Sequence, residues 1–192
     1  MPGFDPAPTP KRPALPRAPH NLFFAVLPPA GDLPRIEQRA QSLLLQHGLT
    51  GKPIRADRKH VTLVSLGGYD GAVPQHLVDA VSSMASALVM RGFEAVFDRA
   101  LSFRGSGAFV LRGDDATAPI SVLRNALSQA LAQAGLRNWP SNTAHMTLAY
   151  DDRHVPEHRI EPIRFAVEAF VLIDSLVGQG VHRHLGRWPL WP

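Results

Sequence analysis

His60-Val61-Thr62-Leu63-Val64-Ser65-Leu66 and His145-Met146-Thr147-Leu148-Ala149-Tyr150 open on the same four-residue word, His-x-Thr-Leu, 85 residues apart. Both runs are apolar and β-branched enough to predict a strand for each. In a strand, side chains at i and i+2 leave the same face. His60 and Thr62 therefore share one face while Val61 takes the other, and His145, Thr147 and Met146 repeat the arrangement. Two such strands lying side by side would gather two imidazoles and two hydroxyls around one point. That donor set suits acid–base chemistry on a phosphate.

Outward from the first word, Leu22-Phe23-Phe24-Ala25-Val26-Leu27 reads as a strand stopped by Pro28-Pro29. Asp32 is a candidate N-cap and Pro34 suits a first helical turn. Leu33, Ile36, Ala40, Leu43 and Leu44 then recur at helical spacing as far as Gly48. The basic stretch from Lys52 to Lys59 leads into the first word, and Gly67-Gly68 closes that strand. A helix is expected over 73–90, with Leu77, Val81, Met84 and Leu88 on one face, broken by Gly92. Phe93 to Phe103 predicts one or two strands with a bend near Asp98.

The second half begins with a strand at Ala108 to Leu111 and a turn at Gly113-Asp114-Asp115. A helix over 118–134 ends at Gly135. Trp139-Pro140-Ser141-Asn142 reads as a loop before the second word. Ile163 to Asp174 reads as one long strand, and Trp188 and Trp191 as a clamp on the C-terminus. At an offset of 85 residues Phe24 falls on Phe109, His60 on His145, and the helix at 32–47 near that at 118–134. Both halves read strand, helix, His-x-Thr-Leu strand, then a later apolar strand, a duplication of pattern rather than of identity. A pseudo-twofold axis relating the halves would bring the two words together.

The 192 residues, 45% of them hydrophobic, suffice for a core without covalent staples. Cysteine is absent, which excludes disulfides and thiolate catalysis. No apolar run has membrane-spanning length and the N-terminus lacks a signal-peptide core, so a cytoplasmic protein without membrane contact is expected. Residues 1–20 hold seven prolines among basic residues and are expected to be a disordered leader, with residues 21–192 forming a single bilobal domain. A net charge of +4 and a pI near 10.1 suit an anionic ligand without naming it.

Other residues are weaker candidates. Arg58, with Arg55 and Lys59, precedes the first word and could line a phosphate groove or lie in solvent. Trp139, in a polar loop, is the best base-stacking candidate; Phe103 reads as core, and Arg104 as a possible phosphate contact. His182 and His184 lack the carboxylate or cysteine partners of a zinc site and read as solvated loop residues. Pro156 spoils a helical face between His154 and His158. Asp151-Asp152 reads as a turn.

Two His-x-Thr-Leu words in the two halves of a domain of this size resemble the 2H phosphoesterase superfamily, and within it the RNA 2′,3′-cyclic phosphodiesterases, also called 2′–5′ RNA ligases. Leu27-Pro28-Pro29, Leu66-Gly67 and Arg187-Trp188-Pro189-Leu190 extend the resemblance over about residues 21–190. It implies an α+β fold of two pseudo-symmetric lobes, each an antiparallel sheet with helices packed outside, around a central cleft that carries both words. It implies metal-independent, cofactor-free opening of a 2′,3′-cyclic phosphate at RNA ends to a 2′-phosphate, with 2′–5′ ligation as the reverse. His60 would be the proton donor and His145 the proton acceptor. Thr62 and Thr147 would bind the phosphate, with Tyr150, Arg58 and Trp139 around them, in a chain expected to be a monomer. The family often carries an arginine shortly after its second word, where this chain has Tyr150. A small cyclic nucleotide or an ADP-ribose cyclic phosphate is therefore the alternative substrate, and a non-catalytic RNA- or nucleotide-binding domain the alternative from another class.

Overall fold

Strand β1 (His20–Val26) alternates between two apolar environments: Leu22, Phe24 and Val26 enter the main core, while Phe23 and Ala25 join a small cluster with Val171 and Ile173 on the opposite face. A strand apolar on both faces must be covered on both, and β1 is therefore internal to the sheet. The computed structural model describes residues 19–113 and 119–192. The expected leader up to residue 18, and Asp114 and Asp115 of the expected turn, lie outside them.

Helix α1 (Leu33–Gln46) starts with Pro34 in its first turn and buries Ile36, Ala40, Leu43 and Leu44. Asp32 makes no side-chain cap; its carboxylate instead pairs with Arg35 at 2.9 Å. A 3-10 turn at Ala56–Arg58 delivers the chain into β2 (Val61–Tyr69). Helix α2 (Gln75–Ser86) is shorter than its apolar periodicity suggested. Strand β3 (Phe93–Ser102) is one strand with an irregularity between Phe97 and Arg99, the expected bend. After β4 (Ala108–Arg112), helix α3 (Pro119–Gln133) buries Leu123, Leu127 and Leu131 on one stripe. Each such leucine contributes roughly 1.5–3 kcal/mol by leaving water.

Trp139–Pro140 is not loop but a two-residue strand, β5, paired with β2. It is followed by β6 (His145–Tyr150). The long apolar run expected over 163–174 is two strands, β7 (His158–Val167) and β8 (Ala169–Leu176), which lie in different parts of the sheet. Strand β9 (Val181–Pro189) closes the chain. Trp188 stacks on Phe170 at 5.5 Å and its indole N–H donates to Ser86 Oγ at 2.9 Å, as a clamp should; the Trp191 side chain is exposed.

The fold is α+β: an antiparallel sheet ordered β7-β3-β4-β6-β2-β1-β8-β9, with β5 added beside β2, and, among the described residues, three α-helices. Its two halves, β7-β3-β4-β6 and β2-β1-β8-β9, meet at one paired position, Val61 with Met146. Strand β3, from the first half of the chain, sits with β4 and β7, while β8 and β9, from the second, sit with β1. Neither half-sheet can be cut out as one contiguous segment. Helix α1 reaches across to the far edge, where Arg39 pairs with Glu161 and Arg35 donates to the Arg164 carbonyl on β7.

Candidate active site

The Val61–Met146 pairing fixes the site. Continued by one residue in each direction, that antiparallel register sets His60 across from Thr147 and Thr62 across from His145. Directly opposed residues in such a ladder have Cβ atoms about 4.5–5.5 Å apart. Val61, Leu63, Met146 and Leu148 are buried beneath, so the four polar side chains are presented on the other face.

The two histidines are held alike. His60 Nδ1 lies 2.8 Å from the Arg58 carbonyl and His145 Nδ1 lies 2.8 Å from the Thr143 carbonyl. A carbonyl oxygen only accepts, so each Nδ1 carries the proton. Each Nε2 is then the atom that can take or give a proton in the cleft. Their surroundings differ. Phe103, read as core, sits edge-on to His145 at 4.9 Å. His60 is flanked by Phe23 at 5.2 Å and His182 at 5.1 Å. Burial holds the His60 imidazole below the ordinary histidine value, against the pull of the Arg58 carbonyl; His145 and Arg58 push the same way as burial.

Two cavities meet at these residues, with Thr62 and His145 in the wall of both. The larger, about 770 Å³, is lined by all four motif side chains together with Lys52, Arg55, Arg58, Tyr150 and the turn between β8 and β9. Its positive side depends on Asp151. The Asp151 carboxylate accepts the backbone N–H groups of Thr50 and Gly51 at 2.7 and 2.6 Å and so pins the loop that carries Lys52 and Arg55. A Cβ on Gly51 would meet the Tyr150 carbonyl at 1.8 Å, so only glycine fits there. Arg55 is paired with Asp57, whereas the Arg58 Nε is buried without a partner.

The second cavity, about 550 Å³, is lined by no Asp, Glu, Lys or Arg; Ser65, Trp139, Pro140, Ser141 and Asn142 complete it. The Trp139 ring rests against Gly67, whose φ of +103° and lack of Cβ leave room for it.

The structure thus brings together His60, Thr62, His145, Thr147, Arg58 and Tyr150 around one cavity, with Trp139 in its neighbour. Arg104 is elsewhere, beside Asp151 and Arg153 in a separate cavity of about 290 Å³. Asp151 is a clamp rather than a simple turn. His182 is on β9 against His60, not in a solvated loop; no helical period or motif offset marks it, because β9 lies three strands from β2 in the ladder. His158 opens β7 and meets His47 at 3.1 Å, outside the cleft. Among the described residues no group of three or more His, Cys, Asp or Glu is placed to hold a metal ion, and no helix is long and apolar enough to cross a membrane.

An antiparallel α+β fold with paired His-x-Thr words facing one cleft is the 2H phosphoesterase arrangement. Residues 24–179 match the 2′-5′ RNA ligase superfamily, and the chain belongs to that family. Among solved structures, one described as a phosphoesterase is 28% identical, with a TM-score of 0.71, covering 91% of this chain and 100% of its own. E. coli LigT, solved in complex with NADP+, is 29% identical with a TM-score of 0.69, covering 91% of this chain and 99% of its own. A protein of Thermus thermophilus, 20% identical with a TM-score of 0.68, covers 88% of this chain and 97% of its own and shares the fold. No curated protein sequence matches. The family supports phosphodiester hydrolysis as the general chemistry.

Proposed function

We propose that this protein opens 2′,3′-cyclic phosphates at RNA ends to 2′-phosphates by two-histidine acid–base catalysis. One observation carries the reading: the Val61–Met146 pairing joins the two words, and all four motif side chains line one cavity that meets a second at Thr62 and His145.

Water attacks phosphorus opposite the 3′-oxygen. His145 Nε2 takes the water proton, the P–O3′ bond breaks, and His60 Nε2 gives its proton to the leaving 3′-oxygen. Solvent exchange resets both groups. The Thr62 and Thr147 hydroxyls donate to the non-bridging oxygens, where charge builds in the transition state. Burial disfavours the protonated form of His60, and a phosphate anion opposes that effect, since an opposite charge within about 4–6 Å favours the protonated imidazole. These steps need no metal or cofactor.

The cavities divide the rest of the substrate. Lys52, Arg55 and Arg58 suit further phosphates of an RNA strand, whereas Trp139, Ser141 and Asn142 offer a stacking face and neutral hydrogen-bonding groups for a base. E. coli LigT, related over nearly its whole length, has been solved with 3′-AMP, which supports a nucleotide in the cleft. We read the protein as a monomer acting through one bilobal domain. Tyr150, exposed at the larger cavity where the family often has arginine, favours a second reading in which a small cyclic nucleotide is the substrate.

The readings separate by comparing kcat/KM on an RNA oligonucleotide ending in a 2′,3′-cyclic phosphate with that on the matching cyclic mononucleotide. RNA specificity requires a clear preference for the oligonucleotide that Arg58→Ala reduces. Equal rates move the assignment to small substrates. Binding without turnover of either would contradict catalysis.

A further inference from the structure

The two motif histidines share the same kind of carbonyl tether and each directly precedes a residue of the Val61–Met146 pair, yet their ring neighbours differ. We propose that His182 is a positioning residue for His60, which walls the ring on one side and makes the two histidines of the cleft inequivalent. The proposal rests on the catalytic reading of His60 given above.

His182 Nδ1 is buried without a hydrogen-bond partner, a costly state for a ring that serves packing alone. Phe23, His60 and His182 form a closed triad of rings: 5.2 Å from Phe23 to His60, 5.1 Å from His60 to His182, and 5.9 Å from Phe23 to His182. His60 is tilted 30° from Phe23 and lies edge-to-face with His182 at 76°. With Nδ1 fixed to the Arg58 carbonyl and two ring neighbours in place, the imidazole has little freedom and its Nε2 stays aimed. The ring contact of His145, among the described residues, is with Phe103.

The electrostatics agree. His182 is pushed down to about 4, first by burial, then by His60, Arg58 and His184, with Asp57 opposing. It is neutral across the range in which an imidazole works as an acid or base. A neutral ring excludes water from His60 without adding a second cation beside it. The charged and titratable groups facing His60 are Arg58, His145 and His182 itself, and Phe23 brings none. His182 is therefore not a proton donor to the substrate. It keeps His60 dry and oriented until the phosphate arrives.

The test follows the His60 ring by NMR through a pH titration, its resonances assigned with His60→Ala, in the parent, His182→Ala and His182→Phe. A thermal melt of each confirms folding. With the wall removed, water reaches His60 and its midpoint rises toward the ordinary value in His182→Ala. His182→Phe restores the wall and brings the midpoint back down. On a cyclic-phosphate substrate, kcat/KM falls by up to roughly 10²-fold in His182→Ala, the scale of a misplaced catalytic group, and the limb on which activity falls with rising pH moves with the midpoint. An unchanged His60 midpoint in a folded His182→Ala would overturn the proposal. A parent without turnover on any cyclic phosphate would overturn the catalytic reading instead, and the titration would still decide the role of His182.

Discussion

Val61 on β2 faces Met146 on β6 across the seam between the half-sheets, and each directly follows a motif histidine. This pairing converts two words 85 residues apart into one site. Both residues are fully buried. Met146→Ala should cost about 2–5 kcal/mol, the range for emptying a large core position, measured by urea unfolding. Residual enzyme should lose kcat rather than gain KM, because misregister separates the catalytic groups more than it empties the cavities.

His60→Ala and His145→Ala should each lower kcat/KM by at least roughly 10²-fold. The signs of their residual pH profiles should be opposite. The enzyme left with His60 needs it protonated, so its activity falls as pH rises through a midpoint held below the ordinary histidine value by burial. The enzyme left with His145 needs it neutral, and its activity rises with pH. Parallel limbs would reverse or refute the assignment of acid and base.

Thr62→Ala and Thr147→Ala should reduce kcat with little change in KM, by roughly ten-fold each, since their hydroxyls are assigned to charge that builds in the transition state. A rise in KM alone would make them ground-state contacts. Trp139→Ala should raise KM by the equivalent of about 1–3 kcal/mol, the worth of one stacked base, and should leave a substrate lacking a base unaffected.

Asp151 ties stability to pH. The N–H groups of Arg153, Gly51 and Thr50 hold its carboxyl below the ordinary value of 3.8, with Arg153's charge adding to them. A depressed folded-state value stabilises the fold at pH above 3.8, and that contribution is lost as pH falls from there through the folded value. Asp151→Asn should lower Tm at neutral pH, and the gap to the parent should close on acidification in that window. A gap independent of pH would show that the clamp acts through shape alone.

The face that carries the candidate site was legible because a strand's period of two is unambiguous: His60 and Thr62 had to share a side, and the second word repeated the geometry. The duplication also gave away the strand and helix around each word. Strand partners were not legible. Ile163 to Asp174 looked continuous because β7 and β8 are both apolar, and only the sheet order shows that the chain leaves one half-sheet at Glu168 for the other. Trp139-Pro140 hid as loop because a two-residue strand carries no period. His182 was invisible for a deeper reason. Its importance lies in a ring contact with His60 across the sheet, and the residues around it in sequence are those of an ordinary exposed edge strand.

The most direct test of the account is hydrolysis of an RNA oligonucleotide ending in a 2′,3′-cyclic phosphate, in excess EDTA, with the position of the product phosphate mapped. The account predicts turnover that EDTA does not diminish and a product carrying only the 2′-phosphate. A 3′-phosphate, or activity that disappears with the chelator and returns with a divalent cation, would contradict it.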